Sequence, residues 1–346
     1  MATKGIYIYG IVPNFYGSDM FRSLENSGVY TMAFQNISAI VSDRENAQLD
    51  SLDRESLAHL LVHHQKTIEE IMAIGFTMIL PMKLGTVVRA KEEVFKILAN
   101  GYDLITDTLK KIQFLTEIDL AVTWADFSGT LKDIANHPDI IAMKDNIMKN
   151  IDKLSQDDQM KVGMLVQAKL KEKNTKVELN ILDSLSPICL DIKTHEVMND
   201  QMVTNSAFLI NSNNKGKFEQ LIDQLDEEYK GLLNFKLVGP LPCYSFYTIE
   251  VKELNPENVA QAKTELGLRE ETSESEIKKA YLEKAKLFHP DAHLDNGDEE
   301  KFKRINKAYH ILLDYSTAAM QSSEDEYTSQ VKEKVIQNLI LVKIKE

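Results

Sequence analysis

Residues 277–314 read Ile277-Lys-Lys-Ala-Tyr-Leu-Glu-Lys-Ala-Lys-Leu-Phe-His-Pro-Asp291, then Ala292-His-Leu-Asp-Asn-Gly-Asp298, then Glu299-Glu-Lys-Phe-Lys-Arg-Ile-Asn-Lys-Ala-Tyr-His-Ile-Leu-Leu-Asp314. In the first segment Ile277, Tyr281, Ala285 and Phe288 recur every three or four residues, the spacing of one face of a helix. Phe302, Ile305, Tyr309 and Leu312 do the same in the last. Pro290 forbids continuation of the first helix and pushes His289 toward an extended backbone, so the chain must turn there. Two helices that each bury one stripe, joined by a turn and a polar loop, form an antiparallel hairpin. The sequence therefore predicts a small helical module with the tripeptide His289-Pro290-Asp291 exposed in its connection.

Working outward, Ala262-Lys-Thr-Glu-Leu-Gly-Leu268 reads as a short preceding helix, and Ser273 with Glu276 has the spacing of a capping box. Short helix, basic helix, tripeptide and third helix, in that order over about residues 255–320, resemble a DnaJ-type J-domain. That resemblance implies a partner, a DnaK-type chaperone. Lys278, Lys279, Lys284 and Lys286 make the outer side of the second helix basic, and the resemblance implies chaperone-binding residues: His289, Pro290 and Asp291 in the turn, with Lys278, Lys279 and Lys286 on that helix. Asp291 would offer a carboxylate to an arginine of the chaperone, and the lysines would steer encounter with an acidic surface. Without the resemblance, the tripeptide is a helix stop and the lysines a solvated face. Leu282 stands where the family usually has arginine, and Lys284 where it usually has a core leucine. The same tripeptide at His137-Pro138-Asp139 lacks a basic helix before it and reads as a helix break, with Asp139 as N-cap.

The rest of the chain is mixed. Residues 5–12, 29–34 and 37–42 read as strands, with Gln35-Asn36 as a hairpin turn. Residues 53–75 read as a helix burying Leu57, Leu60, Leu61, Ile68, Ile71 and Met72. A short strand at 76–82, a helix at 92–112 and a strand at 118–124 follow. Helices on one face of a mainly antiparallel sheet make residues 1–126 a ferredoxin-like α+β domain. Residues 127–254 read as a helical segment and a second α/β unit. It comprises a long helix from 157 with Met160, Met164, Leu165 and Ala168 inward, strands at 188–192, 206–210, 235–238 and 244–251, and a helix at 215–229. Residues 321–346 form a hydrophilic linker and a last strand at 338–345. An isolated strand cannot satisfy its backbone, so it is expected to return to the second unit's sheet, making the helical module an insertion. The fold class is α+β: two α/β units, the first ferredoxin-like, with an inserted all-α helical hairpin.

A second resemblance covers about residues 1–250. Tyr7-Ile-Tyr-Gly-Ile-Val12, His63-His64 with Ile79-Leu-Pro-Met-Lys-Leu-Gly-Thr-Val87, Asn205-Ser-Ala-Phe-Leu-Ile210, and Val238-Gly-Pro-Leu-Pro-Cys-Tyr-Ser-Phe246 occur in that order. Together they resemble the gas vesicle proteins of the F/L type, although Leu241 and Cys243 depart from the usual pattern. This implies a cytoplasmic accessory protein associated with gas vesicles, without catalysis. Its implied partners are the gas vesicle shell protein and other gas vesicle accessory proteins. The alternative is a general J-domain co-chaperone with an α/β client-binding region; the absence of a CxxC zinc module and of a Gly/Phe-rich linker weighs against its familiar form.

Composition narrows the remainder. A formal charge of −13 over 346 residues argues against nucleic acid or anionic membrane partners. Cys189 and Cys243 are the two cysteines and offer no disulfide framework. No apolar run approaches the roughly 20 residues that span a bilayer, and the opening residues lead straight into a strand pattern, so a cytoplasmic protein is expected. His59 and His63 have a metal-compatible spacing but no third ligand, and read as ordinary core or surface histidines. No phosphate loop or catalytic constellation can be assembled, so no catalytic, cofactor or metal residue is assigned.

Overall fold

The computed structural model describes residues 4–16, 28–45, 53–149, 156–269, 272–289, 299–323 and 339–345. The chain forms two compact units, one of Met1–Lys111 with Tyr247–Glu346 and one of Ile112–Phe246.

The first unit is built on strand β1 (Lys4–Pro13), which pairs antiparallel with β3 (Ile37–Glu45), β4 (Leu80–Pro81) and β5 (Val87–Val88). Strand β2 (Tyr30–Phe34) extends the sheet, giving the order β2-β3-β1-β4. The β2–β3 hairpin turns at Gln35, whose φ of 50° is the left-handed conformation that a two-residue turn demands. Gly10 sits at a bulge where β4 crosses closely: a Cβ there would lie 2.8 Å from Ile79 Cγ2 and 3.0 Å from the Leu80 carbonyl.

Helix α1 (Arg54–Ile74) starts at Asp53, whose carboxylate accepts from the Ser56 amide, and ends at Gly75 with φ 117°. Its buried face is Leu60, His64, Thr67, Ile68 and Ile71, while Leu57 and Leu61 are about half exposed, at 48% and 51%. The expected stripe was therefore rotated: two polar residues, His64 and Thr67, take core positions that an apolar count assigns to leucines. The expected helix over 92–112 is two, α2 (Lys91–Asn100) and α3 (Tyr102–Ile112), broken at Gly101.

In the second unit, β6 (Leu115–Trp124), β7 (Cys189–Thr194), β8 (Met202–Asn211) and β9 (Leu233–Leu241) form an antiparallel sheet ordered β7-β8-β6-β9. Helix α7 (Lys215–Tyr229) sets Phe218, Ile222 and Leu225 against Ile118, Leu120, Val122 and Phe208. Helices α4 (Phe127–Ala135), α5 (Pro138–Lys149) and α6 (Gln156–Leu185) complete the unit. Met160 and Met164, expected inward, are 59% and 63% exposed; Leu170, Ile181 and Leu185 carry the burial instead. At the first His-Pro-Asp tripeptide the helix already begins at Pro138, the favoured first position. Asp139 is therefore not the N-cap: its amide donates to His137 Nδ1 and its carboxylate pairs with Lys169 at 2.9 Å.

Two strands change place relative to the sequence reading. The strand ending at Trp124 is the centre of the second sheet, and β10 (Thr248–Leu254) belongs to the first unit. Alternation marks a strand but not the sheet it joins. The terminal strand β11 (Leu339–Lys345) is present and pairs antiparallel with β10 through seven residues, as a separate two-stranded sheet in the first unit rather than an addition to the second unit's sheet.

Between β10 and β11 in the chain lie α8 (Pro256–Leu266), α9 (Glu274–Phe288) and α10 (Glu299–Ser323). Val259, Ala262, Leu266, Ile277, Ile305, Ala308 and Leu312 form their shared core. Each large apolar side chain buried there contributes about 1.5–3 kcal/mol. Gly267, with φ 71°, closes α8, and Ser273 and Glu276 make the expected capping box on α9.

Candidate functional site

The basic face comes directly from the phase of α9. Ile277 is buried, and Ala280, Tyr281, Lys284, Ala285 and Phe288 are half-buried on the side facing α8 and α10. Lys278, Lys279, Leu282, Lys286 and Leu287 are left on the exposed side. Tyr281 stacks on Tyr309 with ring centres 4.1 Å apart, and its hydroxyl donates to Asn306 Oδ1 at 2.7 Å, which fixes the rotation of α9 against α10. Lys278 pairs with Glu274 one turn earlier at 2.6 Å. Lys284 does not join the exposed lysines. It folds back so that its ammonium donates to the Glu265 carbonyl at the end of α8, where a cation is favoured. That explains how a lysine occupies a position next to the core.

His289 ends α9 in an extended conformation (φ −61°, ψ 133°), as a residue before proline must. Its ring meets Phe302 edge-on at 5.2 Å, so the start of the turn is held against α10. Pro290 and Asp291 lie outside the described residues.

A second convergence was not visible in the sequence. The first two of the four quoted stretches, the second through both of its parts, meet at one hydroxyl. The Gly85 amide donates to Tyr7 Oη at 3.2 Å, and His64 Nδ1 lies 2.8 Å from the same hydroxyl. Burial, then the neighbouring His63, lowers the His64 pKa to about 4, so the imidazole is neutral at ordinary pH. Tyr9, the next residue on that face of β1, lies 3.1 Å from Ser42 Oγ and 3.4 Å from His63 Nε2. The one signal available beforehand was the adjacency of Tyr7, Tyr9 and His63-His64 to apolar runs, since buried hydroxyls and imidazoles need partners.

The fourth stretch is organised by a carboxylate. Glu117, 1% exposed on β6, accepts from both the Ser245 amide and the Ser245 hydroxyl, each at 2.8 Å. His195 Nε2 lies 3.1 Å from the same hydroxyl, and Lys193 donates to the Ser245 carbonyl at 3.0 Å. Burial pushes the pKa of Glu117 up, and the neighbouring Asp119, itself raised by burial, adds to this. The Ser245 hydroxyl proton points at Glu117. Burial also raises the Cys243 and Cys189 thiols to about 12, which keeps both protonated. Among the described residues no group of three or more His, Cys, Asp or Glu could hold a metal ion, and no helix is long and apolar enough to cross a membrane.

Residues 5–248 match the family model described as gas vesicle synthesis protein GvpL/GvpF. The chain belongs to that family. It also carries a DnaJ domain at residues 264–320. Gas vesicle protein F of Dolichospermum flosaquae is 22% identical over 247 residues, which span 71% of this chain and 98% of the relative. Chaperone protein DnaJ of Hydrogenobacter thermophilus is 53% identical over 49 residues, 14% of each chain. The crystal structure of GvpF from Anabaena sp. PCC7120 superimposes with a TM-score of 0.56 at 22% identity, covering 70% of this chain and 97% of that one. GvpF from Microcystis aeruginosa gives 0.56 at 21% identity, over 70% and 98%. The family region includes both the Tyr7–His64–Gly85 and Glu117–Ser245 clusters, and the DnaJ domain holds the basic face of α9.

Proposed function

We propose that this chain is an accessory protein of gas vesicle assembly that holds shell subunits through its α/β units and recruits a DnaK-type chaperone through its DnaJ domain. The observation that carries this is the presence of both family signatures in one chain, with the basic face of α9 left clear of the three-helix core. In this reading His289, Pro290 and Asp291 engage the chaperone, and Lys278, Lys279 and Lys286 steer it by charge. Subunits that expose apolar surface before assembly need capping and guided release, which gives such a union its physical rationale. The role is one of binding without catalysis, in the cytoplasm and at the vesicle. The first sheet is read as ferredoxin-like, supported by its order β2-β3-β1-β4 and antiparallel sense.

Pull-down of purified shell subunit by the full chain tests the assembly half. Retention of the subunit, with little retention of unrelated unfolded clients, is the expected result. No retention above background, or equal capture of all clients, would contradict it.

A further inference from the structure

Helix α10 outruns the buried core of its module. The last fully buried member of the three-helix core is Leu312, with Tyr315 packed against it, yet the helix continues to Ser323. Along the continuation, Asp314, Ala318 and Gln321 are spaced i, i+4 and i+7 and so share one face. Each meets the β10–β11 pair. Asp314 is 4% exposed and accepts from Lys252 of β10 at 2.5 Å and from Lys343 of β11. Ala318, fully buried, packs with Leu254 of β10 and Leu341 of β11. The Gln321 side-chain amide donates to the Val342 carbonyl at 2.8 Å and accepts from the Val342 amide at 3.1 Å. It therefore pairs with β11 as a neighbouring strand would, closing an edge that would otherwise be open to pairing.

Strand β11 is also held by α2. The Asn100 amide donates to the Ile340 carbonyl at 2.8 Å, and Gly101 admits Val342 so closely that a Cβ would lie 2.7 Å from its Cγ1. Strand β10 is itself joined to the first sheet's connection by the Met82–Ile249 bridge and by the Lys83 amide donating to the Ile249 carbonyl at 2.9 Å. A module on a loose tether would need none of these contacts.

We propose that Asp314, Ala318 and Gln321 form a latch that fixes the DnaJ domain in one orientation on β10 and β11, so that a chaperone engaged at α9 is presented at a set position to the first unit. The biological consequence rests on the chaperone-recruitment reading above, whereas the latch rests on the contacts alone. The experiment is arranged to separate the two. Amide hydrogen exchange is measured on the full chain for the unmodified protein, Gln321→Ala and Asp314→Asn. The Val342 amide is expected to exchange at least roughly tenfold faster in Gln321→Ala. The amides of β11 as a whole should exchange faster in Asp314→Asn, with α8 and α9 as protected as before. Unchanged exchange at β11 in both variants overturns the latch, and loss of protection in α8 and α9 as well overturns its separateness from the module's own fold.

Gas vesicle yield in cells and stimulation of a DnaK-type ATPase are then measured with the same variants. Retained stimulation with reduced yield supports positioning; unchanged yield despite an opened latch overturns it. Absence of stimulation by the unmodified protein overturns the recruitment reading, and the exchange data still decide the latch.

Discussion

Replacing Tyr7 by Phe keeps the buried ring, which is 2% exposed, and removes only the hydroxyl where two of the family stretches meet. Two groups lose their partner: the Gly85 amide, a donor at 3.2 Å, and His64 Nδ1, 2.8 Å away. An orphaned buried polar group costs about 1–3 kcal/mol. Gly85 is only half-buried and can recover some hydration, which puts the sum nearer about 2–3 kcal/mol than the upper limit. For a unit of this size that corresponds to a fall in Tm of roughly 5–10 °C. Urea unfolding followed by amide exchange at Gly85 and by tyrosine signals reads the first unit. The single tryptophan, Trp124, belongs to the second and serves as an internal control, because two compact units need not unfold as one. The first transition should move to lower urea with an unchanged slope, while the tryptophan transition stays in place. A loss below about 0.5 kcal/mol with Gly85 exchange unchanged would show that the hydroxyl carries no buried hydrogen bonds of consequence, because surface-like substitutions already give that much.

Other outcomes follow from the same contacts. Because the His64 pKa is depressed from 6.5 to about 4, its contribution is present above 6.5 and lost as the pH falls toward 4, by about 3 kcal/mol at 1.36 kcal/mol per pH unit; His64→Asn should flatten that slope in acid unfolding curves. Glu117 has a raised pKa, so its contribution is complete below the ordinary value of 4.5 and is lost as the pH rises through the raised value; Glu117→Gln should remove that alkaline decline from the tryptophan-detected transition. Gly239→Ala should destabilise the second unit by more than about 1 kcal/mol in urea, since φ is 148° and a Cβ would lie 3.0 Å from the Glu117 carbonyl. Reversing Lys278 and Lys279 to Glu should slow chaperone association roughly tenfold at low salt, and the difference should shrink as salt is added.

The helical module could be read directly because its information is local. Ile277, Tyr281 and Phe288 on α9 and Ile305 and Leu312 on α10 follow the helical period, and Ser273 caps with Glu276 as their spacing foretold. Helix α7 and the β2–β3 hairpin were legible for the same reason. What failed was non-local. Nothing in residues 115–124 says that their partners are β8 and β9 rather than the strands before them. On α1, the buried His64 finds its partner in the Tyr7 hydroxyl of β1 and the buried Thr67 donates to the His63 carbonyl one turn earlier, whereas an apolar count chose Leu57 and Leu61. Met160 and Met164 satisfy the helical period yet face outward, because the burial in α6 falls on Leu170, Ile181 and Leu185. The latch was hidden most thoroughly. Asp314 and Gln321 are polar residues on a helix, which reads as a solvated face until Lys252, Lys343 and Val342 arrive from strands distant in sequence.

One chain joins the GvpL/GvpF family region to a DnaJ domain, and the proposed role stands or falls with chaperone recruitment by that domain. The measurement that decides this is the ATPase rate of a purified DnaK-type chaperone with the full chain and with His289→Gln. Acceleration by the unmodified protein and a return to the basal rate with the variant are expected. Equal rates for the two proteins would rule out recruitment through this turn.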